Sequence, residues 1–447
     1  MMHLAINNAM IVTDKNIFKG SIGIQDGKVE LISQSPIEAD KVIQGDGKYL
    51  FPGIIDNHVH LNDPGFTWRE DFAHGTKAAA IGGVTTIVDM PMQNEPAVSN
   101  AEIFEIKAKH VSSASYIDYS FWGALVDYNR SDIKGLRKAG AKAFKSFMCP
   151  VGKDYTSLFT GQIRDMLEIT KSMDALAGFH CEDYNIIAYE EQKARREGRL
   201  SIKDYLKARP LSAEIIATQE ILEIAREKGA QVHICHVSHR DVVDMIHEYR
   251  NKGVEVSLET CPHYLIFTEE DVIENGNVYK CSPPIREKNN LNLMWEAIEN
   301  DRIDCIVSDH SPSQIDEKAE SLGAFDAWGG ISGLQTGLMT MYNEGVVKRG
   351  LEPTFIARTM AKRPAELFGL GAFKGQIQIG YDADLVLLDP KAHWEITDES
   401  LAYLNKFSAF TRLKGKGKPV MTILRGEIIV ENGALSMVER KGQLIRC

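Results

Sequence analysis

The sequence predicts an α/β chain: a (β/α)₈ TIM-like barrel carrying a small β-sandwich subdomain formed by both chain termini. Three observations carry that expectation. Eight short apolar runs rich in β-branched residues alternate with stretches of helical period through the middle of the chain, the pattern of βα units around a parallel sheet. The two ends share another texture, strand-like runs broken by Gly, Asp and Pro. The length of 447 residues suits one large barrel with an appendage.

Residues 1–50 form the first part of the β-subdomain, read from HLAINNAMIVT and GSIGIQDGKVELISQ with D-G as the turn between strands. Residues 51–374 form the barrel. Its eight expected strands are IIDNHVHL, VTTIVDMP, YSFWGALVD, KAFKSFM, AGFHCE, QVHICHVS, VEVSLETC and DCIVSDH, with helical patterns such as TGQIRDMLEITKSMDA and AEIIATQEILEIAREKG between them. Residues 375–447 complete the β-subdomain through GQIQIGYDADLVLLDP and PVMTILRGEIIVENGALSM, and the intervening LKGKGKP reads as an exposed loop.

Hydrophobic residues at 44% and charged residues at 25% are the proportions of a globular protein, not of a disordered or low-complexity chain. The net charge of −11 argues against nucleic acid or an anionic membrane surface as a partner, since both need a basic face. Seven scattered cysteines without a C-x-x-C pair indicate neither a disulfide framework nor a zinc ribbon. With no leader pattern in MMHLAINNAMIVTDKN and no apolar run long enough to span a membrane, a cytoplasmic location is expected.

Five expected strands carry a metal-binding side chain at or near the C-terminal end, where barrel active sites lie. His58 and His60 lie two apart on the first strand and so point to one side. Lys145 lies in the fourth, His180 in the fifth, His236 in the sixth and Asp309 in the eighth. Each has a bland reading alone, a core histidine, a snorkelling lysine or an aspartate cap. Their conjunction points to a metal-dependent hydrolase. His233 and His239 are expected outside the ligand set, and His263 and His310 behind it as supports.

From PGIIDNHVHLNDPG through GGVTTIVDMP, AFKSFM, CHVS, ETCPHY, KCSPPIR and VSDHSP to GYDADLVLLDP, the chain resembles the cyclic amidohydrolases of the amidohydrolase superfamily, which include dihydroorotases, dihydropyrimidinases and allantoinases. The resemblance implies that Lys145 is carboxylated by CO₂ to a carbamate shared by two divalent ions. His58, His60 and Asp309 would then bind the first ion, and His180 and His236 the second. It also implies a homotetramer. Zinc suits imidazole and carboxylate ligands, and a hydroxide between two such ions is a nucleophile at neutral pH. Asp309 is suited to carry a proton from that hydroxide to the departing amide nitrogen.

Dihydroorotases carry Arg two residues after the H-x-H pair to hold a carboxylate, and here the position is Asn62, which suits a neutral ureido edge. Dihydropyrimidinases carry a tyrosine five residues after the lysine, where this chain has Pro150. The allantoinase branch matches best, so the expected substrate is a cyclic ureide, allantoin opened to allantoate. Ser282 and Ser311 are the expected loop contacts to it, and Gly329 and Gly330 would let a loop approach the site. The rival from another class is a non-catalytic scaffold of the same fold, which would hold no metal.

Overall fold

A computed structural model describes residues 2–152, 155–436 and 439–446. All eight expected barrel strands are present: β1 (Ile54–Val59), β2 (Val84–Asp89), β3 (Asp118–Phe121, resuming at Gly123–Ala124), β4 (Phe144–Phe147), β5 (Ala177–His180), β6 (Val232–Ile234), β7 (Val256–Thr260) and β8 (Cys305–Ile306). Neighbours pair in parallel, as at Lys145↔Gly178 and Phe147↔His180. The barrel closes where Val59 bridges His310 and the His60 N–H donates to the His310 carbonyl at 2.9 Å. The break in β3 falls at Trp122, a fully buried ring whose Nε1 donates to the Asn57 carbonyl at 2.7 Å.

Helices follow the strands in βα order. Thr160–Lys171 and Leu211–Lys228 occupy the two stretches of helical period noted above. Leu211–Lys228 stops where Gly229, at φ +60°, supplies the left-handed cap that other residues adopt at a cost. Between β5 and that helix the chain inserts two more, Tyr184–Arg196 and Ile202–Ala208, and the second of these reaches the site.

The ends of the chain share one nine-stranded sheet. Tyr49–Pro52, just ahead of β1, pairs antiparallel with Leu385–Glu395 through Val386↔Phe51 and Leu387↔Leu50. Leu4, Ile6, Ile22, Ile24, Leu50, Leu385, Leu387 and Ile423 form its apolar core. The expected D-G turn is there, with Asp26 at φ +49° and Gly27 at φ +78° joining Gln25 to Lys28. Lys374 ties this sheet to the barrel, donating to Asp118 at the start of β3 and to Asp384.

LKGKGKP is a strand, not the loop its composition suggests. Lys414–Leu424 pairs with Leu385–Glu395 through Glu395↔Lys414, Trp394↔Gly415 and His393↔Lys416. The lysines face solvent, and the glycines between them admit aromatic rings. A Cβ on Gly415 would stand 2.4 Å from the Trp394 ring, and one on Gly417 2.0 Å from Tyr342. Six cysteines are free and buried; Cys447 lies outside the described residues. Among the described residues no helix is long and apolar enough to cross a membrane.

Candidate functional site

The C-terminal mouth of the barrel opens into a cavity of about 140 Å³, and all six expected ligand residues line it: His58, His60, Lys145, His180, His236 and Asp309. Strand geometry does most of this. The His58 and His60 rings emerge on one side of β1 with centroids 5.4 Å apart. His180 closes β5, its ring 4.5 Å from that of His236. His236 and Asp309 follow their strands in the left-handed region, at φ +36° and +44°, a conformation that non-glycine residues hold only where the surroundings impose it. Donor atoms of His58, His60 and Asp309 lie within 4.8 Å of one another.

Asp309 Oδ1 stands 3.2 Å from His58 Nε2 and 3.4 Å from His60 Nε2. Burial opposes its ionisation, but the two imidazoles outweigh that and hold its carboxyl at about 2. Burial likewise opposes charge on His58, yet Glu259 and Asp309 raise it to about 10. His236 is driven well below the ordinary imidazole range by burial and by His180, Lys145 and His58 around it. Lys145 is fully buried and its Nζ has no hydrogen-bond partner, only the Phe147 ring at 5.0 Å. An unpaired ammonium there is costly. His60 Nδ1 and His236 Nδ1 are also buried without partners.

Residues 49–429 match the sequence profile of the Amidohydrolase family. The chain belongs to that family. Allantoinase from Salmonella choleraesuis (strain SC-B67) is 35% identical to this amidohydrolase over 447 residues, covering 99% of this chain and 98% of the relative. Among solved structures, the L-hydantoinase (dihydropyrimidinase) from Arthrobacter aurescens superposes with a TM-score of 0.97 at 30% identity, covering all of both chains. Dihydropyrimidinase from Brevibacillus agri NCHU1002 gives 0.92 at 29%, over 99% of this chain and 98% of its own. Divalent metal binding follows from membership of the family, and the orphaned nitrogens around Lys145 are a donor set that fits it.

Sequence reasoning missed the acids that hold these candidate ligands. Glu259 on β7, fully buried, pairs with His58 Nδ1 and accepts from Asn57 Nδ2 at 3.0 Å, from His233 Nε2 at 3.0 Å and from the His236 N–H at 3.3 Å. His233 is thus a support of Glu259 and lies off the cavity. Glu182 accepts from His180 Nε2 at 2.7 Å and from Arg209. Asp89 accepts the Leu61 N–H at 2.9 Å, just past His60, and is ion-paired to Lys107. A charged residue ending an apolar run was the available signal. His239 caps the helix Arg240–Asn251, accepting from the Asp241 N–H.

Among the expected substrate contacts, Ser282, Ser311 and Gly329 line the cavity. Gly330 packs on Ser311, whose Oγ would lie 2.4 Å from a Cβ there. Asn62 does not line it, which corrects the role expected of it. At φ +56° it turns the chain away from β1, it is fully buried, and its amide donates to the His60 carbonyl at 3.3 Å. Pro150 and Arg209 complete part of the wall, and neither had been singled out as a contact.

Proposed function

We propose that this amidohydrolase hydrolyses a ring amide of a cyclic ureide, with allantoin opened to allantoate as its reaction. The observation that carries the reading is the buried, unpartnered amine of Lys145 facing one cavity with four histidines and Asp309. As a carbamate this side chain becomes an anion between His58, His60 and Asp309 on one hand and His180 and His236 on the other. That set would hold two divalent ions, zinc first among them by ligand type. When bound, the ions supply Lewis-acid polarisation of the scissile carbonyl and activation of water at neutral pH.

The chain's own groups do the rest. Asp309, kept ionised by His58 and His60, takes the proton from the attacking water and delivers it to the leaving ring nitrogen. Glu259 on His58 Nδ1 and Glu182 on His180 Nε2 fix each ring's orientation, and His58 Nε2 faces Asp309 in the site. Ser282, held by the Tyr205 hydroxyl at 2.6 Å, and Ser311 offer hydroxyls to the ring's polar edges. Full-length similarity to allantoinases and Pro150 in the cavity wall favour allantoin. The close superposition on an L-hydantoinase supports hydantoins and dihydropyrimidines as the second reading.

Catalytic efficiency on allantoin, hydantoin, dihydrouracil and dihydroorotate with one metal-loaded preparation separates them. Allantoin is expected to exceed dihydroorotate by at least ~10³, since the arginine of the cavity wall is already ion-paired to Glu182 and not free to clamp a carboxylate from both sides. A preference for dihydroorotate would overturn the assignment, and a preference for hydantoin or dihydrouracil would move it to the second reading. The buried free thiols fit the reducing cytoplasm proposed as its location, and the homotetramer proposed from family resemblance is read by sedimentation.

A further inference from the structure

The mechanism leaves unused the one arginine that lines the cavity among the described residues. Arg209 follows the helix Ile202–Ala208 as its C-terminal cap, with its side chain 13% exposed. Among the described residues its guanidinium has a single hydrogen-bond partner, Glu182, reached through Nη1. A guanidinium carries five N–H donors in a fixed fork, so Nε and Nη2 have no acceptor among the described residues. The stem is not loose, because the guanidinium lies 5.4 Å over the Tyr205 ring. Tyr205 in turn bonds Ser282, so one short helix places two features of the wall.

Charge decides what those donors suit. Glu182 is fully buried and pairs with both Arg209 and His180, so it offsets part of the arginine's charge and leaves the subsite rich in donors. Such a subsite suits a carbonyl acceptor. The substrates in question differ in this respect, since allantoin carries a ureido side chain with a carbonyl acceptor and hydantoin carries none.

Resting on the cyclic-ureide reading above, we infer that Arg209 is a specificity residue whose free N–H donors bind the exocyclic ureido carbonyl. Its contact to Glu182 also steadies His180, so some loss on any substrate is expected when it is changed, and the diagnostic quantity is a ratio. In Arg209→Lys the positive charge beside Glu182 stays and the fork is lost. The kcat/KM ratio of allantoin to hydantoin should fall about tenfold or more, carried mainly by KM for allantoin, as loss of a charge-assisted hydrogen bond predicts. Metal content is measured on the same preparation. If the lysine variant does not hold metal, Arg209→Gln, which keeps a donor for Glu182, is compared in the same way.

An unchanged ratio, with both substrates losing equally, would overturn the inference and leave Arg209 as a prop for Glu182. Wild-type turnover of hydantoin but not allantoin would refute the ureido subsite while leaving ring hydrolysis standing. Turnover of neither would refute the ring-hydrolysis reading, and this inference with it.

Discussion

In the proposed reaction Asp309 is ligand and proton carrier at once, and the two roles separate by substitution. Asp309→Asn keeps an oxygen ligand but cannot accept a proton, so turnover should fall ~10²-fold or more. Metal content should fall less than when Lys145 is removed, and near-normal turnover would exclude the proton role. The gathering of the six candidate ligands was legible in the sequence because each is a ligand-type residue ending an apolar run, and the barrel brings such ends together. Glu259 was not legible in its role, because an acid at a strand end reads equally as ligand, cap or ion-pair partner. Its imidazole partner lies 201 positions away, set by sheet order and not by spacing. Asn62 misled for a local reason. Alternation along a strand would put it beside His60, but β1 ends at Val59 and the left-handed backbone at Asn62 redirects it.

At the scale of elements, strand and helix order followed from periodicity, while LKGKGKP failed on composition. Glycine and lysine are poor strand formers by propensity. Here they alternate with period two, and the glycine side is the space that Trp394 and Tyr342 need. The helix Ala101–Val111 has a further task, because its Lys107 is fully buried against Asp89 at the end of β2 and also donates to Asn94 at 2.6 Å. Lys107→Met would strand a buried carboxylate beside the His60 turn. The expected loss is about 3–5 kcal/mol of folding stability in urea denaturation. A change under about 1 kcal/mol would show that the pair contributes little beyond its burial cost.

For the whole molecule, the barrel and the terminal sheet are held as one body through Tyr49–Pro52, Leu385–Glu395 and Lys374, and stability depends on groups deep in that body. Glu70 is one. Burial raises its carboxyl from the usual 4.5 to about 8, and its Oε2 has no hydrogen-bond partner. The native state therefore keeps a proton that the unfolded chain releases, so wild type loses stability as pH rises from 4.5 towards 8. The advantage of Glu70→Gln over wild type should grow across that window and level off above it. A pH-independent difference in urea midpoints would contradict this. The central claim, that Lys145 is a carbamate joining two metal sites, is tested most directly by elemental analysis of wild type and Lys145→Ala purified without chelator. The account predicts two divalent ions per chain in wild type. It predicts loss of most of them in Lys145→Ala, with partial return when a short carboxylic acid fills the gap. Metal-free wild type, or a Lys145→Ala variant with its full complement, would contradict it.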